Sequence, residues 1–194
     1  LLFAVPRGKV KRARSSEAQV YVVPVLEPLS AIGFFSVSRR LEVYQVIVFD
    51  YIDASGEYAQ IVEDEEKLHR ELEILTANMQ GFLDEEEVVI NGERVRPRVL
   101  SVDVGFRGTP EEVYIAFFIY FKGKPVKGEN YYENIYEEEV TEYPISAYWL
   151  FPPGSRVKSV EMSGDVALLA PNIVAVKLEE GERVQGYERI VFTL

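Results

Sequence analysis

LEVYQVIVFDY, residues 41–51, is built mostly from Val, Ile, Tyr and Phe, and its apolar side chains recur at every second position. Successive side chains of a strand point to opposite faces, so this pattern belongs to a strand with one face in a core. The same period extends outward in both directions. Upstream it marks Ile32–Val37 and Gln19–Leu26 (QVYVVPVL), where Pro24 lacks a ladder donor and confines that strand to an edge or a bend. Downstream, Glu86–Ile90 and Glu93–Arg96 flank Asn91-Gly92, a dipeptide suited to the positive φ angles of a type I′ hairpin turn. Further strands are expected at Arg98–Phe106, Val113–Lys122, Ile145–Phe151, Arg156–Met162, Asn172–Leu178 and Arg189–Leu194. Gly- and Pro-bearing turns separate them, among them Arg107-Gly108-Thr109-Pro110, Gly123–Gly128, Pro152-Pro153-Gly154 and Ser163-Gly164-Asp165.

One segment breaks the period. Asp64 is placed to cap a helix, Glu65 and Glu66 suit its positive N-terminal end, and Leu68, Leu72, Leu75 and Met79 form an apolar stripe that Gly81 is expected to end. Many short strands around one helix predict an all-β fold, a mainly antiparallel β-sandwich of Ig-like or jelly-roll type with one accessory α-helix near residues 64–80. No Pro/Gly/Ser-rich linker divides residues 17–194, which are expected to form a single domain with the helix inserted. Gly-Glu-Arg-Val occurs at 92–95 and again at 181–184; a duplicated half and a shared turn requirement both account for it.

The chain has 194 residues, of which 47% are apolar and 27% charged, enough for a sizeable core. Its net charge of −11 is unevenly spread. Residues 1–16 carry Arg7, Lys9, Lys11, Arg12 and Arg14 and no acid, a basic N-terminal arm tipped by the apolar Leu1-Leu2-Phe3-Ala4-Val5. The remainder sums to −16. An acidic body has few cations to meet a phosphate backbone, so no nucleic-acid partner is expected. Glu outnumbers Asp 26 to 6, and Asn, Gln, Met and Cys together number twelve, the pattern of a hyperthermophile protein. The chain begins at Leu1 rather than Met, which we read as a processed start and hence an extracellular or cell-surface location. The alternative is a trimmed chain whose first residues are the tail of a membrane helix. No transmembrane span is expected within the chain, whose longest apolar run is Val113–Phe121.

No catalytic, cofactor or metal site is predicted. Zero cysteines exclude thiolate chemistry, and the single His69 excludes paired-His zinc sites. His69 lies beside the apolar stripe among local glutamates that suit helix-surface pairing. Gly123–Gly128 (GKPVKG) lacks P-loop spacing, and Pro125 removes a phosphate-binding N–H. The acid runs Glu63–Glu66, Asp84–Glu87 and Glu137–Glu139 with Glu142 are consecutive, and neighbours on a strand cannot all converge on one ion. A glycosidase-type carboxylate pair is possible in principle, but nothing selects its members.

Two features suit partners. Tyr131, Tyr132 and Tyr136 open an aromatic stretch that continues to Tyr143, Tyr148 and Trp149, residue types that concentrate at binding surfaces. The arm, with Leu1–Val5 as a strand and a basic tether behind it, suits β-strand addition to the sheet of another copy. The expected function is a non-enzymatic structural protein that self-associates as a homo-oligomer or homopolymer, in a filament or sheath. A carbohydrate- or protein-binding module using residues 131–149 is the first alternative, and a carboxylate-dependent hydrolase the second.

Overall fold

The computed structural model describes residues 26–194. The arm of residues 1–16 and, apart from Leu26, the strand expected at Gln19–Leu26 lie outside the described residues. The chain opens with β1 (Glu27–Val37) and β2 (Glu42–Ile52), then α1 (Glu57–Glu63) and α2 (Glu65–Glu85). There follow β3 (Glu87–Ile90), β4 (Glu93–Val95), β5 (Arg98–Phe106), β6 (Glu112–Lys122), β7 (Glu129–Ile135) and β8 (Glu139–Val140). The last third holds β9 (Ile145–Leu150), β10 (Arg156–Glu161), β11 (Asp165–Ala170), β12 (Ile173–Leu178), β13 (Arg183–Val184) and β14 (Tyr187–Thr193). The fold is mostly β, with several antiparallel sheets.

Seven strands form the larger sheet in the order β11-β12-β9-β1-β2-β6-β5, and five form the second in the order β10-β14-β7-β3-β4. Strands β13 and β8 make a small third sheet. β2 shows how the sequence period becomes structure. Val43, Gln45, Ile47, Phe49 and Tyr51 are buried, while Tyr44, Val46, Val48 and Asp50 lie on the more exposed face. The two large sheets share one core. Trp149 of β9 stacks on Phe35 of β1 at 4.0 Å between ring centroids, and meets Tyr132 of the other sheet at 4.4 Å. Phe121 to Tyr132 and Phe151 to Phe192 continue this aromatic contact between the sheets.

Several expectations change. β1 and β9 are parallel, and β9 reaches β1's side from far along the chain. Among the described residues there are two helices where one was expected. The short α1 forms because Asp53, fully buried, accepts hydrogen bonds from the backbone N–H groups of Ser55, Gly56 and Tyr58 and from the Ser55 hydroxyl. Tyr58 in turn donates to Glu71 of α2 at 2.7 Å. The tyrosine-rich stretch contains a strand, β7, and Asp165–Ala170 forms β11, neither of which was expected. The Gly-Glu-Arg-Val echo is local. The first copy sits in the β3–β4 hairpin, with positive φ at Asn91 and Gly92, whereas in the second β13 pairs with β8 rather than with the preceding β12.

The capping of α2 by Asp64 holds, through its carboxylate and the N–H groups of Glu66 and Lys67. Its end does not. The helix runs past Gly81 to Glu85, because Leu83 extends the buried stripe of Leu75 and Met79 by one more turn. Gly81 faces solvent with open space where a Cβ would stand. Gly81→Ala therefore raises stability by about 0.5–1 kcal/mol, the usual glycine penalty inside a helix, read as a higher urea midpoint. A lower midpoint would place the helix end at Gly81 after all.

Candidate functional site

The inner face of the five-stranded sheet carries an unusual polar group. β7 buries Asn130, Tyr132 and Asn134 in succession. Glu188 of β14 and Val88 of β3 are the cross-strand partners of Asn134 on its two sides. Glu86, which closes α2, lies on the same side as Val88 and Ile90. Two carboxylates, Glu86 and Glu188, are thus buried on either side of one asparagine. Asn134 Nδ2 donates to Glu86 Oε2 at 2.8 Å, and the Tyr132 hydroxyl donates to Glu188 Oε1 at 2.7 Å. Asn134 Oδ1 has no hydrogen-bond partner among the described residues.

Burial pushes the Glu188 carboxyl above the ordinary carboxylate range, and the nearby Glu86 charge adds to this against the Tyr132 hydrogen bond. Burial and the Glu188 charge likewise hold the Tyr132 phenol well above its usual value, so it stays a donor. Asp53 behaves oppositely. Its burial favours the neutral form, yet the bonds from Ser55, Tyr58 and Gly56 together hold it below the usual range. Beside Glu188 lies a cleft lined by Tyr136, Trp149, Met162 and Leu178, with about 10 Å³ of free volume, room for a single water molecule. Both acids are buried, and Glu188 is packed against the core beside this small cleft.

The remaining residues singled out by sequence scatter. Tyr132 is 2% exposed and its ring belongs to the core. Tyr131 lies half-buried on the opposite face of β7, with the Arg189 guanidinium 4.4 Å above its ring. Tyr136, just after β7, lines the cleft. His69 is exposed and pairs with Glu73 one turn on. Asp84 pairs with Arg96, Glu138 with Arg183, and among the described residues no three His, Asp or Glu side chains converge to hold a metal ion. In the GKPVKG turn the Val126 N–H is held by Asn130, a structural rather than phosphate-binding use. Glu188 escaped notice in the sequence, although it falls in phase with Ile190 and Phe192 on an inward face.

The sheet margins form the other candidate. Among the described residues both large sheets are open, leaving β5, β11, β10 and β4 as edges. α2 covers β5, where Gln80 Oε1 accepts from the Val99 N–H at 3.0 Å. β4 has three residues, two of them charged. β10 carries Arg156, Lys158 and Glu161 and is bulged between Val157 and Ser159. β11 differs. Leu168 and Leu169 are 57% and 61% exposed, Val166 is 40% exposed, and Asp165 is its one charge. Val166 and Leu168 pair with Val176 and Val174, which are buried. Their side chains thus point toward the core side, but the second sheet does not reach over this last strand.

No protein-family model matches the chain, and no curated protein sequence matches it. Among solved structures it is similar to a "putative protease" from Parabacteroides distasonis, with 6% identity and a TM-score of 0.35 over 87% of this chain and 40% of that one. The chain thus spans less than half of that protein's length, and a likeness of this degree carries no argument.

The Glu188 environment makes stability depend on pH with a definite sign. A carboxyl raised in the folded state binds its proton more tightly there than in the unfolded chain. Its cost is full above the raised folded value and fades as pH falls through it toward the ordinary carboxylate value of about 4.3. Glu188→Gln, which keeps an acceptor for Tyr132, is therefore more stable than the parent at pH 7. The gap narrows as pH drops from 7 to 4 in paired thermal melts. A gap that stayed constant with pH would place the effect in packing instead.

Proposed function

We propose that this protein is a non-enzymatic structural subunit of the cell surface or extracellular space, one that self-associates by β-strand addition through its N-terminal segment. Its two open sheets belong, in this reading, to an Ig-like or jelly-roll sandwich. The observation that carries it is the pairing of an exposed, apolar sheet margin with a charge split of opposite sign, five cations on residues 1–16 and −16 on the rest. Strand addition supplies backbone hydrogen bonds to an open edge, and the charges draw the arm toward an acidic surface. Because arm and acceptor are different surfaces, the contact is heterologous and propagates into a ring or a filament. The Glu-rich, Cys-free composition accords with a hyperthermophile source.

A protein-binding module is the second reading. It has the outward Tyr131 and Tyr148 in its support, the latter stacked on the exposed Phe34 at 5.3 Å. A carbohydrate platform is less well served, since Arg189 already occupies one face of Tyr131. A hydrolase ranks last, because the cleft that Glu188 lines has room for about one water molecule.

Removal of residues 1–16 tests the first reading. The full chain sediments as a multimer and shows filaments or discrete rings in electron micrographs, and the truncated chain sediments as a monomer with its fold intact by circular dichroism. An unchanged assembly state after truncation overturns the proposal.

A further inference from the structure

We infer that the edge of β11 left unpaired among the described residues is the acceptor for residues Leu1–Val5 of a second copy of this chain, an assignment that rests on the self-association reading above. Among the described residues the two large sheets leave four edges, and natural sheets guard their edges with charge, shortness, bulges or a covering element. Three of the four are guarded here. β5 lies under α2, with its Val99 N–H taken by Gln80. β4 is three residues long and ends just before Pro97. β10 presents Arg156, Lys158 and Glu161.

β11 has almost none of these defences. Its sequence, Asp165-Val-Ala-Leu-Leu-Ala170, has one charge, at its end, and no Lys or Pro. Its register irregularity lies near its far end, between Leu168 and Ala170, so Asp165 to Leu168 stay regularly paired with β12. Both its faces expose aliphatic surface, with Leu168 on the core side beyond the reach of the second sheet. A strand added there extends the seven-stranded sheet and sets its own apolar side chains beside Val166 and Leu168.

The occupant fits in length, polarity and charge. Leu-Leu-Phe-Ala-Val is five residues of apolar chain against the six of β11. Twenty residues, Pro6 to Val25, separate it from the described body, a reach of up to about 66–72 Å when extended, enough to cross to a neighbour. Its five cations fall within that tether, opposite in sign to the −16 of the rest of the chain.

The native chain contains no cysteine, so engineered pairs report unambiguously. Full-length Phe3→Cys and Leu168→Cys chains are mixed and oxidised, with Lys158→Cys on the β10 edge replacing Leu168→Cys as the control. The expected result is a covalent dimer of Phe3→Cys with Leu168→Cys and none with Lys158→Cys. In addition, Leu168→Lys, at an exposed position that leaves the fold intact by its thermal melt, raises the concentration needed for assembly by about tenfold or more. Cross-linking to Lys158→Cys instead moves the acceptor to β10 and overturns the assignment, while the arm reading survives. A Phe3→Cys/Leu168→Cys double variant that closes only within monomers places the arm on its own sheet and overturns the exchange between copies. Covalent dimers of Leu168→Cys alone, formed equally after removal of residues 1–16, mean that β11 pairs with β11 and overturn both readings.

Discussion

Tyr132 is the residue on which the two sheets close. Its ring meets Trp149 and Phe121 of the seven-stranded sheet, and its hydroxyl donates to Glu188 within its own sheet. Trp149 in turn stacks on Phe35 and leads on to Phe151 and Phe192. An aromatic side chain with one polar tip suits this place, because the ring fills the space between layers while the tip requires a buried acceptor. Glu188 supplies it, and once a carboxylate is buried it needs further donors. Its burial raises the affinity of Glu188 for a proton, and on the same sheet Asn134 serves the second buried acid by donating to Glu86.

The molecule treats its edges unequally for a related reason. Among the described residues there is one long helix, and its buried stripe is committed to the β5 side of the larger sheet, where Gln80 also caps the edge. The second sheet has five strands facing seven, and among the described residues Val166 and Leu168 on the last strand of the larger sheet stay exposed. The apolar surface on β11 is what remains when a narrow layer packs against a wide one. An exposed edge of this kind is a hazard unless something occupies it, and the basic, apolar-tipped N-terminal segment has the complementary character.

Legibility in the sequence followed how conventional each element's chemistry is. β2, β5 and β6 were readable because β-branched and aromatic residues recur in period two, and the β3–β4 hairpin because Asn91-Gly92 adopts the expected positive φ angles. β7 was hidden because its buried positions hold Asn130, Tyr132 and Asn134, which invert the usual association of polarity with exposure. β11 was hidden because Ala and Leu favour helix when alone, and only pairing with β12 makes the segment a strand. Gly81 misled for the opposite reason, since local propensity predicts a stop that the packing of Leu83 overrides. The acid pair was half visible. Glu86 lay in an acid run read as surface, and Glu188 lay in phase with an apolar strand.

Composition and periodicity by themselves determined that the chain is β-rich, that it carries an amphipathic helix capped at Asp64, and that a basic segment precedes an acidic body. These are properties of short windows and sums, set by backbone preference and by charge. The tertiary structure alone decided that Glu86 and Glu188 lie on either side of Asn134, that Tyr132 turns inward while Tyr131 turns out, and that β11 leaves Leu168 and Leu169 exposed. Each of these depends on which strands become neighbours, through contacts between residues far apart in the chain, such as Tyr132 and Glu188, 56 positions apart. No local pattern encodes that choice. It is made when two sheets of unequal width bury the largest shared apolar surface they can.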